Sequence, residues 1–103
     1  QIICHPSNLV LTYCQNAMFT RAVENRVFTI TANRTGKERN GGSELYFTGE
    51  SVIVDPKGNY LARAGKDDEC IITTEIDPAR ANDKDVTPLN NIFQDRRPDM
   101  YMD

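Results

Sequence analysis

The stretch from Arg21 to Asn33, RAVENRVFTITAN, constrains the fold more than any other part of the chain. Its first half carries Arg21 and Glu24 three residues apart, on one helical face. Its second half, Val27 to Thr31, is β-branched and aromatic, and the polar Asn33 closes it. A helix therefore passes into a strand with almost no loop. The strand must lie close against its own helix, and the segments after Asn33 must extend that sheet or cover its edge.

The flanking sequence fits this frame. Ile2-Ile3-Cys4 reads as a short buried strand from Gln1 to Cys4, stopped at Pro6, with His5-Pro6-Ser7-Asn8 as its polar exit. Thr12-Tyr13-Cys14-Gln15 matches a capping box, so a helix is predicted from Tyr13 or Cys14 to Asn25. Cys14, Met18 and Ala22 form one apolar row along it, and Phe19 and Val23 form a second. After the Val27–Ala32 strand, the glycine-rich and charged segment 34–43 reads as a mobile loop. A hairpin comes next, with strands at 50–54 and 60–64 around the turn Asp55-Pro56-Lys57-Gly58-Asn59. Residues 69–76 read as a third antiparallel strand, and Asp77-Pro78 as the start of a short helix. From Asn82 the chain turns polar, with Ile92, Phe93, Met100 and Tyr101 scattered through a docking tail. Strand, helix, strand and then a meander make an α/β chain, with one domain region at 1–81 and a tail at 82–103.

Composition narrows the function classes. With 39% hydrophobic and 26% charged residues, the chain has the make-up of a soluble globular protein. Twelve basic and 15 acidic residues give a net charge of −3, which argues against a nucleic-acid partner. No apolar run approaches the ~18 residues of a membrane span. The three cysteines, Cys4, Cys14 and Cys70, form no C-x-x-C pair, and reduced thiols in a cytoplasmic setting are expected. Asn33-Arg34-Thr35 matches a glycosylation sequon, which matters only in a secreted protein. The chain opens inside an apolar segment, and termini usually lie at the surface, so a longer protein with sequence upstream is expected.

Local chemistry points to no self-contained active site. Cys4 and His5 invite a nucleophile–base reading, but neighbours in a strand face opposite ways, and such pairs come from separate segments. One histidine and three scattered cysteines offer no metal-ligand spacing, so no metal and no cofactor are expected. Asp67-Asp68-Glu69 and Asp83-Lys84-Asp85 read as solvated turns, and Gly41-Gly42 lacks the lysine of a phosphate loop. Arg21, Glu24 and Asn25 are expected to be structural, joining helix to strand, since a carboxylate paired with arginine is a poor base. Asn33 is either a buried network member or a group facing a pocket.

Larger motifs carry a resemblance. Ile2-Ile3-Cys4-His5-Pro6-Ser7-Asn8, Arg21-Ala22-x-Glu24-Asn25-Arg26, Ala32-Asn33-Arg34-x-Gly36 and Phe47-x-Gly49-x-Ser51-x-Ile53-x-Asp55-Pro56-x-Gly58 occur in order and at spacing similar to those of the carbon–nitrogen hydrolase (nitrilase) superfamily. The ending Asp95-Arg96-Arg97-Pro98 also resembles the tail of some members. The resemblance implies the C-terminal part of a four-layer α-β-β-α sandwich. It also implies a Glu–Lys–Cys triad that cleaves non-peptide amide-type C–N bonds through a cysteine thioester, acting on small amide, carbamoyl or nitrile substrates. In the family all three triad residues precede the block that begins here, so Cys4 and Glu24 do not match them. This piece alone is expected to be inactive. Ser7, Asn8 and, more weakly, Asn33 fall at the rim of the family's substrate pocket. The helix at 15–25 resembles one that packs on its twin in a homodimer or larger homo-oligomer, and the tail commonly reaches over that interface. Two other outcomes stay open: a nitrilase-fold scaffold without catalysis, and a small thiol hydrolase using Cys4.

Overall fold

The computed structural model of the protein describes residues 1–101. Met102 and Asp103, the end of the expected tail, lie outside the described residues. Strand β1 (Ile2–Ser7) leads through helix α1 (Cys14–Asn25) to β2 (Phe28–Asn33), and β1 and β2 pair in parallel from Ile2↔Phe28 to Ser7↔Asn33. A hairpin of β3 (Lys37–Asn40) and β4 (Ser43–Tyr46) follows. Then β5 (Val52–Val54) pairs antiparallel with β2, and β6 (Tyr60–Arg63) pairs with β5. The main sheet has the order β1-β2-β5-β6. Beyond it come a 3₁₀ turn at Pro78–Asn82, a small ladder of β7 (Asp85–Thr87) and β8 (Asn90–Asn91), and a second 3₁₀ turn at Pro98–Met100.

The helix–strand joint forms as its sequence demands. Arg26 adopts a left-handed conformation (φ 50°) at the end of α1. The N–H groups of Arg26 and Val27 return to the carbonyls of Val23 and Ala22 at 3.3 and 3.1 Å, which closes the helix and turns the chain straight into β2. From the far end of the chain, Lys84 Nζ donates to the carbonyls of Asn25 (2.9 Å) and Arg26 (2.8 Å), placing a cation at the negative end of the helix dipole.

Register divides the sheet into two faces. Thr29 and Thr31 lie opposite Val54 and Val52, and their face meets α1. There Ala22, Val52 and Val54 form the apolar core with Phe19 against it, and the Thr29 hydroxyl donates to the Met18 carbonyl at 3.4 Å. Met18 and Ala22 of the first apolar row of α1 are buried, and Phe19 of the second stacks on Tyr60 at 5.6 Å between ring centroids, while Val23 of that row stays 39% exposed. The second face carries Phe28 and Ile53, which are buried, and the partly covered Ile30. The Arg80 guanidinium lies 5.9 Å from the Phe28 ring centroid, and a hollow of ≈ 250 Å³ separates Ile30 and Ile53 from Ile71 and Ile72. The radius of gyration is 17.0 Å, against roughly 13 Å for a compact chain of this length. The molecule is a thin slab of 54 × 36 × 16 Å.

Four local expectations need correction. β1 is exposed rather than buried, with Ile2 38% and Ile3 40% exposed, and it continues through Pro6 to Ser7, because an edge strand has one neighbour and tolerates a residue without an N–H. Segment 34–43 contains the strand Lys37–Asn40 and the turn of a hairpin, Gly41-Gly42, held by Arg39–Glu44 and Lys37–Glu44 charge pairs. Residues 69–76 belong to no described helix or strand, leaving Ile71 93% exposed; high strand propensity forms no ladder without a partner edge. The capping box does not form: Tyr13 is the N-cap without a side-chain cap bond, and Gln15 is turned into the interior.

Candidate functional site

In α/β sheets, ligand sites gather outside the carboxyl ends of parallel strands. Here those ends are Ser7 and Asn33, opposite each other in register. Asn33 is buried, and its amide is fully engaged. Oδ1 accepts from the Leu9 N–H (2.8 Å) and the Ser7 hydroxyl (3.3 Å), while Nδ2 donates to Thr48 Oγ1 (3.0 Å) and the Gly49 carbonyl (2.8 Å). Its backbone N–H donates to Ser51 Oγ at 2.9 Å.

Thr48 is the hub of this network. Its Oγ1 accepts from Gln15 Nε2 (2.7 Å) and Asn33 Nδ2 (3.0 Å) and donates to the Leu9 carbonyl (3.1 Å), which uses both lone pairs and the one proton of a hydroxyl. Gln15 Nε2 also donates to the Gly49 carbonyl at 2.9 Å. Because a carbonyl can only accept, it fixes which end of each amide faces it. Gln15 Oε1 is buried with no hydrogen-bond partner among the described residues. Gly49 presents its carbonyl from a left-handed conformation (φ 58°), with its Cα facing the Lys66 backbone so closely that a Cβ would lie 2.7 Å from the Lys66 carbonyl carbon.

The other expected site residues lie around this network. Ser7 is half-buried, and Asn8 is exposed at the strand exit. An open hollow of ≈ 450 Å³ borders Asn33, lined also by Arg34, Thr35, Ser51, Asp68 and Cys70. Arg21, Glu24 and Asn25 are elsewhere. Arg21 and Glu24 pair on the exposed side of α1, and Asn25 Nδ2 donates to the Arg21 carbonyl at 3.0 Å, so the trio bonds within its own helical turn. The joint between helix and strand is held instead by Arg26, Thr29 and Lys84. Cys4 and His5 fall on opposite faces by register, and His5 Nδ1 lies 3.4 Å from the Thr31 hydroxyl. No helix among the described residues is long and apolar enough to cross a membrane, and no described group of His, Cys, Asp and Glu could hold a metal ion.

A second buried polar group lies at the opposite end of β5. Asp55 is 1% exposed; its Oδ1 accepts from the N–H groups of Lys57 and Asn59, and its Oδ2 from Asn59 Nδ2 and Arg80 Nη2, all at 2.9 Å. Burial alone pushes this carboxyl up, but the Asn59, Lys57 and Arg80 donors outweigh it and hold it below the usual carboxylate range.

Sequence reasoning did not single out Gln15, Thr48 or Gly49 as a group. Gln15 carried a signal, because it precedes Met18 and Ala22 by three and seven residues and so shares their buried face. Thr48 carried none, since its partners lie 15 to 39 residues away. The network is neutral and its hydroxyl is saturated, so it holds shape rather than moving protons.

Known proteins share this arrangement of elements. The carbon–nitrogen hydrolase family model matches residues 1–84. A nitrilase of Pyrococcus abyssi is 43% identical over 100 residues, covering 97% of this chain and 37% of that protein. A crystal structure of a carbon–nitrogen hydrolase from Helicobacter pylori superposes with a TM-score of 0.74 at 27% identity, over 97% of this chain and 39% of the other. An amidase from Nesterenkonia sp. AN1, in a form with the acetamide moiety of fluoroacetamide added covalently at its active-site cysteine, superposes with a TM-score of 0.52 at 31% identity, over 65% and 25%. The chain spans little more than a third of the Pyrococcus relative. Its mixed α/β fold is that of part of an α-β-β-α sandwich, and the chain belongs to the carbon–nitrogen hydrolase superfamily.

Proposed function

We propose that the protein containing this chain is an amidase-type carbon–nitrogen hydrolase, and that residues 1–103 form the C-terminal part of its sandwich. In the reading the family implies, a cysteine thiolate supplied by upstream sequence attacks the carbonyl carbon of a small non-peptide amide. A glutamate takes the thiol proton and delivers it to the departing ammonia or amine, and a lysine steadies the tetrahedral oxyanion. Water then cleaves the thioester to the acid and restores the thiol. Ser7 and Asn8, with Asn33 behind them, form part of the pocket rim. The carrying observation is the family match over residues 1–84 in a chain spanning 37% of a nitrilase. Inactivity of this piece alone is supported by the separation of Cys4 from His5 on opposite sheet faces.

Helix α1 serves as a homodimer contact in this reading, with Ala17, Thr20 and the half-covered Val23 on its outer side. Residues 82–103 form a tail distinct from 1–81, supported by the exposure of Leu89 and Phe93. Three free cysteines suit a reducing, cytoplasmic setting. The test is ammonia release by the full-length protein from aliphatic amides, N-carbamoyl amines and nitriles, with mass spectrometry for an acyl adduct on a cysteine. Amides are expected to turn over best. Nitrile turnover alone would remove the amidase assignment, and no turnover would favour a scaffold role. Turnover by residues 1–103 alone, lost in Cys4→Ser, would reverse the reading.

A further inference from the structure

We propose that Thr48 is a positioning residue that holds the Ser7–Leu9 exit of β1 in place. The rim role of that exit rests on the function proposed above; the clamp itself rests on geometry.

Leu9 is gripped on both of its backbone groups. Its N–H donates to Asn33 Oδ1 at 2.8 Å, and its carbonyl accepts from the Thr48 N–H at 2.9 Å and the Thr48 hydroxyl at 3.1 Å. Little else holds this segment. Val10 and Leu11 are 42% and 49% exposed, and residues 8–13 belong to no helix or strand. Ser7 is tied in through the Arg34 N–H to its carbonyl at 3.1 Å and its own hydroxyl to Asn33 Oδ1. Ser7 is therefore held by the β1–β2 ladder, Arg34 and Asn33, and Leu9 by Asn33 and Thr48, which Gln15 steadies from helix α1. Since the Thr48 hydroxyl is saturated, it acts through Leu9 rather than by touching a ligand.

Thr48→Val tests this. It removes the hydroxyl at constant shape, yet Gln15 Nε2 and Asn33 Nδ2 each keep the Gly49 carbonyl, and the Leu9 carbonyl keeps the Thr48 N–H. One N–H of each buried amide loses its acceptor, so some loss of melting temperature is expected in any case, and the KM-to-kcat split and the Leu9 exchange carry the test. In the full-length protein, Thr48→Val should lower kcat/KM for its amide substrate about tenfold, mainly through KM, because a misplaced rim costs binding and alignment. Thr48→Ser should restore it. A merely structural role would lower the melting temperature and leave the KM-to-kcat split untouched. Exchange of the Leu9 amide provides a readout independent of activity: in the wild-type protein it should run at least about tenfold slower than at Val10 and Leu11, and it should speed up in Thr48→Val and recover in Thr48→Ser. Equal exchange at Leu9, Val10 and Leu11 in the wild type would overturn the clamp without any variant. So would a Thr48→Ser that behaves as Thr48→Val. If the wild type turns over no amide, the functional reading falls and Leu9 exchange alone decides the clamp.

Discussion

The Asn33 junction and the Asp55 turn both bury polar groups at an end of the sheet, and they do so by opposite means. The junction is neutral and gathers Ser7, Leu9, Gln15, Thr48 and Gly49 across sequence separations of 15 to 39 residues. The turn centres on one carboxylate and draws on donors two and four residues away, with Arg80 as its one distant partner. A buried charge needs several strong donors, and a tight turn supplies them from its own backbone. A neutral amide or hydroxyl needs fewer, so it can join segments that have no other reason to meet. The turn is thus a local device that shapes a hairpin. The junction is a non-local device that sets the position of a strand exit.

The largest expected effect breaks the junction. Gly49→Ala must place a Cβ against the Lys66 backbone at a φ of 58°, and it should cost on the order of 4 kcal/mol. A denaturant melt of the full-length protein checks this, and a change below about 1 kcal/mol would mean that segment 48–50 can move aside.

Asp55→Asn should be milder, about 2 kcal/mol at neutral pH, because it trades charged hydrogen bonds for a mismatched amide. It also separates the two centres by pH. The folded carboxyl of Asp55 is held below its ordinary value of 3.8. Its contribution is therefore complete above that value and is lost as pH falls through the lower folded one. The wild type should lose more stability than Asp55→Asn when melts are compared across the acid range below pH ~4. Thr48→Val should show no such difference, since its network carries no titratable group. The smallest effect belongs to Arg21→Ala. Its ion pair is 60% and 45% exposed, so the loss should stay under ~0.5 kcal/mol; a larger loss would return Arg21 to the helix–strand joint.

How much of this was legible depended on the range of the interaction. The body of α1, the β5–β6 hairpin and the 3₁₀ turn capped by Asp77 followed from local chemistry: periodicity, the Asp-Pro-x-Gly-Asn turn, and a carboxylate accepting from the Ala79 N–H at 3.0 Å; the start of α1 lies where expected, but the capping box behind that expectation does not form. The β3–β4 hairpin had a local signal as well, a Gly-Gly turn, which its surrounding charges obscured. The strand expected at 69–76 failed for a different reason. Its propensity is real, but a ladder needs a second edge, and only the assembled sheet decides whether one is offered. Gln15 shows the same limit in reverse. Its place on the buried face could be read from spacing, whereas its choice between capping the helix and bonding Thr48 depended on a residue 33 positions away.

The motif order from Ile2 to Gly58, matched to the superfamily, determined the fold class and placed Ser7, Asn8 and Asn33 near strand ends. The same residues left Asn33 with two readings, pocket group or network member. Tertiary structure decided between its bonding partners, because a side-chain amide takes whichever donors and acceptors folding brings to it. It also moved the helix–strand joint from Arg21, Glu24 and Asn25 to Arg26, Thr29 and Lys84, since only groups that reach across the turn can tie helix to strand, and the Arg21 trio bonds within one helical turn.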